Sequence, residues 1–260
     1  NRKIAPLIPY AIRGAIWCQG ESNSNDGKIY AAKMEALING WRKNWQRPDL
    51  PFYFTQLQCY GEPNPNEVGF ADLREAQARF ANSNDNVGMV AQHDLNPARP
   101  TGIHPFNKLD PGKRLARWAL AKQYGKPLAH TGPMYMSHTI RGKTVRVRFA
   151  QQGPGGGLMV GTKGMEADAK KSPDAFVEPA REDPGASLHH FRLAGRDRVW
   201  HDADAAIDGD EVVVRSTAVP QPVGVQYAYH NSPIGSNLYN HAGLPAIPFA
   251  YFDGRQMFNE

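Results

Sequence analysis

The chain has 260 residues, 41% hydrophobic and 21% charged, with a net charge of +5; these proportions exclude wholesale disorder and leave room for two modest domains, each with its own core. No apolar run approaches the roughly 18 residues of a membrane span. The 30 Lys and Arg are scattered among 25 Asp and Glu rather than gathered in a block, which argues against nucleic acid as a partner.

In chain order, Gly14 to Cys18 is a short apolar strand, and Lys28 to Trp45 carries Ile29, Met34, Leu37, Ile38, Trp41 and Trp45 at near-helical spacing. The pattern repeats, with an aromatic-rich strand from Pro51 to Leu57, a Gly/Pro/Asn loop from Gly61 to Asn66 and a helix from Ala71 to Phe80. A third strand is predicted over Asn86 to Val90, then a helix over Pro105 to Tyr124 with Gly125 after its end. Pro111 conflicts with that helix and is expected to divide a short turn from its main body. Strands alternating with helices pair in parallel through right-handed crossovers. Three strands make a small sheet, and Gly14 to Cys18 would be an exposed edge, so further strands are expected to precede it.

From about Lys126 the signature changes. Thr144 to Phe149 alternates strictly, Glu211 to Arg215 and Val223 to Tyr229 read as strands, and Gly/Pro/Asp turns separate them. The expected fold is α/β: a parallel-sheet domain over residues 1–126, then an all-β, sandwich-like domain over 127–260. Arg146 and Arg148 are read as the solvated face of a strand, and Arg74 with Glu75 as a structural ion pair on a helix. Trp41, Trp45 and Trp118 are assigned to the core. The only cysteines, Cys18 and Cys59, are too few for a disulfide scaffold or a four-cysteine zinc site. They are expected to be unpaired buried thiols, a bridge between strand ends being the alternative.

The three parallel strands all end in polar loops that open on one side, where such sheets collect ligands. After the first come Gln19, Gly20, Glu21, Ser22 and Asn23; after the second, Gln58, Cys59 and Tyr60; after the third, Gln92, His93 and Asp94, then Gly102 to Pro105. Histidine as proton shuttle, carboxylates to orient it and Gly/Asn donors for an oxyanion suit acyl transfer. An obvious nucleophile is lacking. No phosphate-cradling glycine loop or metal-ligand spacing is found, so cofactor-free and metal-free hydrolysis is expected; His189, His190, His201, His230 and His241 are read as surface or packing residues.

Several ordered blocks carry a resemblance. Trp17 to Asn23, Arg74 to Gln77, Ile103 to Lys108 with Gly112 to Ala116, and, in the tail, Phe191 to Gly195, Trp200 to Gly209 and Tyr227 to Pro245 resemble the sialate O-acetylesterase family of SGNH hydrolases. The resemblance implies a flavodoxin-like hydrolase domain and hydrolysis of acetyl esters on a sugar or glycan by a serine nucleophile. It makes His104 the catalytic base, and Gly20 N–H with the Asn23 amide the oxyanion donors, Gln19 lining the same site. It also favours an exported protein: secreted, periplasmic or lysosomal.

Two departures follow. The family's Gly-Gln-Ser-Asn nucleophile segment is absent; Ser22 and Ser236, in local imitations of it, do not stand at a strand-turn-helix elbow. The nucleophile is therefore expected outside this chain, in a preceding segment or a separate N-terminal chain. The positions three and two before His104, where an orienting aspartate is common, are Thr101 and Gly102, leaving Asp94 first and Glu21 second as candidates. Asp94 as a turn residue with an Asx-type hydrogen bond is the competing reading. The alternative function is a non-catalytic carbohydrate-binding protein using its β domain.

Overall fold

A computed structural model describes residues 2–8, 10–95, 107–150, 153–164 and 179–257. Its first part alternates as expected: β1 (Ala15–Trp17), α1 (Gly27–Asn44), β2 (Phe52–Thr55), α2 (Gly69–Asn82), β3 (Val87–Val90) and α3 (Leu109–Lys122). The strands form a parallel sheet in the order β1-β2-β3. Every residue of β2 and β3 is buried, as a sheet covered on both faces requires.

The period of two sorts their side chains. Phe52, Phe54, Val87 and Met89 join Tyr30, Met34, Ile38, Leu73 and Phe80 from α1 and α2, whereas Tyr53 and Val90 turn to Leu115 and Trp118 of α3. Gly88 makes room on that second face, since a Cβ there would lie 2.5 Å from the Trp118 ring. The tryptophans assigned to the core are half-buried at its margin: Trp41 and Trp118 pack against buried clusters, and Trp45 stacks on Trp41, which meets Phe52 edge-on. Among the described residues β1 pairs only with β2, and Ile16 is 70% exposed on it.

Pro111 does not divide the last helix. It is the third residue of a continuous α3, where the N–H has no intrahelical partner to lose.

The rest is built from antiparallel pairs: β4 (Met134–Arg141), β5 (Thr144–Ala150), β6 (Met159–Thr162), β7 (Arg181–Glu182), β8 (Phe191–Ala194), β9 (Trp200–Asp202), β10 (Asp204–Asp208), β11 (Glu211–Arg215), β12 (Gly224–Tyr227), β13 (Leu238–Tyr239), β14 (Phe249–Phe252) and β15 (Arg255–Gln256). Sheets β10-β11-β5-β4 and β15-β14-β12-β8-β9 enclose one core that includes Val145, Val147, Val212, Val214, Phe191 and Tyr227, which makes a sandwich. A small sheet, β13-β6-β7, completes the region. Arg146 and Arg148 lie on the outer face, paired across strands with Asp208 and Glu211. The two parts interlock: Ile247 and Met134 pack into the α/β core, and Ala71 of α2 meets Tyr229 and Ala250.

Candidate active site

The loops after β1, β2 and β3 meet through a relay of side chains. Gln58 Nε2 donates to Glu21 Oε1 at 3.2 Å, and Gln92 Nε2 donates to Gln58 Oε1 at 3.2 Å. One residue from each strand end therefore shares a single hydrogen-bonded row, as the carboxyl edge of a parallel sheet permits.

The first loop is shaped from beneath. Tyr30 of α1 donates its hydroxyl to Gln19 O and Oε1, both at 3.1 Å, and Gln77 of α2 donates to Gln19 O at 3.4 Å. Gly20 is buried against Leu57, Leu73 and Gln77, with 3.1 Å between a Cβ built on it and Leu73. A larger residue would push the loop off its support. Gln19 Nε2 donates to Asn23 Oδ1 at 2.6 Å, and Asn23 Nδ2 donates to Asp26, itself paired with Lys33. The Asn23 amide is thus oriented from both ends. Ser22 sits exposed in the 3-10 turn Glu21–Asn23.

The third loop is held by charge. Asp94, 4% exposed, accepts two hydrogen bonds of 2.7 Å from Arg114 and one of 3.2 Å from Tyr239. Burial pushes its carboxyl up, but the Arg114 charge and hydrogen bonds, helped by His93 and Lys163, outweigh this and hold it below its ordinary value. His93 is buried, and burial drives its imidazole down to about 3, so the ring is neutral. Its carbonyl accepts the Cys59 thiol at 3.0 Å. His104, Thr101 and Gly102 lie outside the described residues.

Two expectations are corrected. Arg74 and Glu75 do not pair with each other. Arg74 is wholly buried and donates to the carbonyls of Gln58, Asn231 and His230, tying the β2 loop to the β region. Glu75 is bonded to Gln256 instead. Neither cysteine forms a disulfide, and they differ in burial: Cys59 is buried, whereas Cys18, just past β1, is exposed. His190 and His230, read as surface or packing residues, pack against each other with ring nitrogens 3.3 Å apart. Arg114, Lys163, Asp110 and Tyr239 carried no individual signal of a role, although Arg114 and Tyr239 lie inside blocks singled out by resemblance.

Glu75 gives a prediction. Burial raises its carboxyl to about 8, Arg79 opposing and Asp72 adding to the shift. A carboxyl raised on folding contributes stability in full below its unfolded value of about 4.3, and that contribution is lost as pH rises through about 8. Glu75→Gln, uncharged throughout, should melt near the parent at about pH 5 and above it at about pH 9, as thermal denaturation would record.

The fold, an SGNH-like α/β part followed by a β-rich region, matches that of a solved carbohydrate esterase. A carbohydrate acetylesterase from Xanthomonas citri superposes with a TM-score of 0.78 at 33% identity, over 95% of this chain and 52% of that one. Residues 2–121 match the family model described as carbohydrate esterase, sialic acid-specific acetylesterase. Over 150 residues the chain is 34% identical to sialate O-acetylesterase of Rattus norvegicus and 31% identical to that of Homo sapiens. Each alignment covers 52% of this chain, but only 28% of the rat and 29% of the human protein.

Proposed function

We propose that the chain forms part of an acetylesterase acting on an acetylated sugar or glycan. A serine supplied from outside these 260 residues attacks the acetyl carbonyl. His104 takes the serine proton and passes it to the departing sugar hydroxyl; it then activates the water that releases acetate. Gly20 N–H and the Asn23 amide face the developing oxyanion. Of the two carboxylates weighed for orienting His104, Glu21 is favoured: among the described residues its hydrogen-bond partner is the neutral Gln58 amide, whereas Asp94 is neutralised by Arg114. The observation that carries the reading is the Glu21–Gln58–Gln92 row, which brings three strand-end loops together inside the family-matching segment.

A second reading has its own support. A cleft of about 660 Å³ opens between Pro63 and Pro65 of the β2 loop and His190, Arg192, Tyr229 and His230 of the β region, large enough for a glycan in a binding protein without catalysis. The test is acetate release from an acetylated sugar. This chain alone is expected to release none, and release is expected once a nucleophile-bearing segment is joined to it or added as a second chain. A folded, reconstituted protein that binds acetylated glycan but releases no acetate would establish the binding reading instead.

A further inference from the structure

The parallel ladder sets the β2 and β3 ends directly: Thr55 pairs with Val90, and Gln56 N–H donates to Val90 O at 2.8 Å. On the β1 side the ladder stops earlier. Its last pair is Trp17 with Phe54, short of Gln19 and Gly20, so the first loop has to be placed against the second by side chains.

One face of α2 does this. Arg74 and Gln77 are neighbours at i and i+3 on that helix, and both are wholly buried. Between them they engage three consecutive residues at the β2 end. Gln56 Nε2 donates to Arg74 O at 2.9 Å, Leu57 N–H to Gln77 Oε1 at 2.8 Å, and the Arg74 guanidinium to Gln58 O at 3.1 Å. Gln77 also reaches the first loop. Its Nε2 donates to Gln19 O at 3.4 Å, a carbonyl shared with the Tyr30 hydroxyl, and lies 3.4 Å from where a Gly20 Cβ would stand. The two partners fix the orientation of the amide, since the Leu57 N–H can only donate and the Gln19 carbonyl can only accept. An ionised glutamate would lack the donor, and methionine, of similar length, lacks the donor and any strong acceptor.

We propose that Gln77 is a positioning residue: it sets the Gln19–Gly20 loop against Leu57 and Gln58, and so fixes the direction of the Gly20 N–H relative to the Glu21–Gln58–Gln92 row. The spacing is held because release of the Leu57 end would leave a buried N–H unsatisfied. The link to catalysis rests on the oxyanion role proposed for Gly20; the placement of the loop does not.

The experiment uses this chain labelled with nitrogen-15, and two variants. Gln77→Glu keeps an acceptor for the Leu57 N–H and removes the donor to Gln19 O; Gln77→Met removes both. The Gly20 amide signal is expected to move in each. Leu57 amide exchange should accelerate about tenfold or more in Gln77→Met alone, with the β3 amides protected as in the parent. In the reconstituted esterase, Gln77→Met should lower kcat about 10–10²-fold with KM nearly unchanged, the pattern of a misplaced oxyanion donor. A Gly20 signal unmoved in both variants, or exchange rising equally through all three parallel strands, would overturn the proposal. Should either variant fail to fold, the other carries the test through the Gly20 signal. A displaced Gly20 with full kcat would overturn the link to catalysis and leave the positioning of the loop. An inactive reconstituted parent would count against the proposed function, and the Gly20 and Leu57 signals would still decide the role of Gln77.

Discussion

Arg114→Met is expected to lower stability by about 3–5 kcal/mol, the usual cost of stripping one partner from a buried ion pair. The Arg114 guanidinium makes two 2.7 Å bonds to Asp94 and one of 2.6 Å to Ala91 O, all buried. With Met in its place, the Asp94 carboxylate would keep the Tyr239 hydroxyl as hydrogen-bond donor and the more distant Lys163 charge. The pH dependence follows from the direction of the Asp94 shift. A depressed carboxyl contributes stability that is complete above the unfolded value of about 3.9 and is lost as pH falls through the folded one. In the variant, burial is the dominant influence left, so the carboxyl binds a proton more readily and the deficit against the parent should narrow as the solution is acidified. Urea melts at neutral and acidic pH would measure this. Replacing both partners, Asp94→Leu with Arg114→Met, should recover part of the loss, because no uncompensated charge remains. A loss within about 0.5 kcal/mol, the range of ordinary surface substitutions, would mean that the pair does not hold the loop.

His104→Gln should lower acetate release by about 10²–10⁴-fold in the reconstituted esterase, with KM nearly unchanged. Glutamine can hydrogen-bond but cannot take a proton from serine and return it. The change falls on the transition state, because both the attack and the departure of the sugar hydroxyl need that transfer. The measurement is steady-state acetate release against pH. The limb of the profile that reports the general base should disappear with the residue. A variant within tenfold of the parent would remove His104 from the mechanism.

The parallel strands and their helices were readable to within a few residues because each is a contiguous pattern. Phe52 to Thr55 is an unbroken buried run, and α1 repeats its apolar residues at helical spacing. The polar strand ends were readable for the same reason, so Gln19, Glu21, Gln58, Gln92 and Asp94 were expected in one crevice before any coordinates. The helix with Pro111 was misread at one point only. A proline is tolerated or disruptive according to its position in the first turn, and a fading pattern does not locate the helix start to one residue.

The pairings were different. Arg74 beside Glu75 has the look of an ion pair, yet the backbone sends one side chain to the carbonyls of Gln58, Asn231 and His230 and the other to Gln256. Asp94, an orienting acid when considered with His104 alone, became half of a buried pair once α3 lay across the β3 end. Neither contact leaves a periodic trace.

Local order along this chain, from the strand-helix alternation to the polar junctions at the strand ends, follows from steric and hydrophobic preferences of neighbouring residues. Which groups grip one another does not: Asp94 and Tyr239 stand 145 positions apart and Arg74 and His230 stand 156 apart. Their meeting depends on how the sandwich packs against the sheet, because a buried charge takes whichever partner the assembled layers bring within reach.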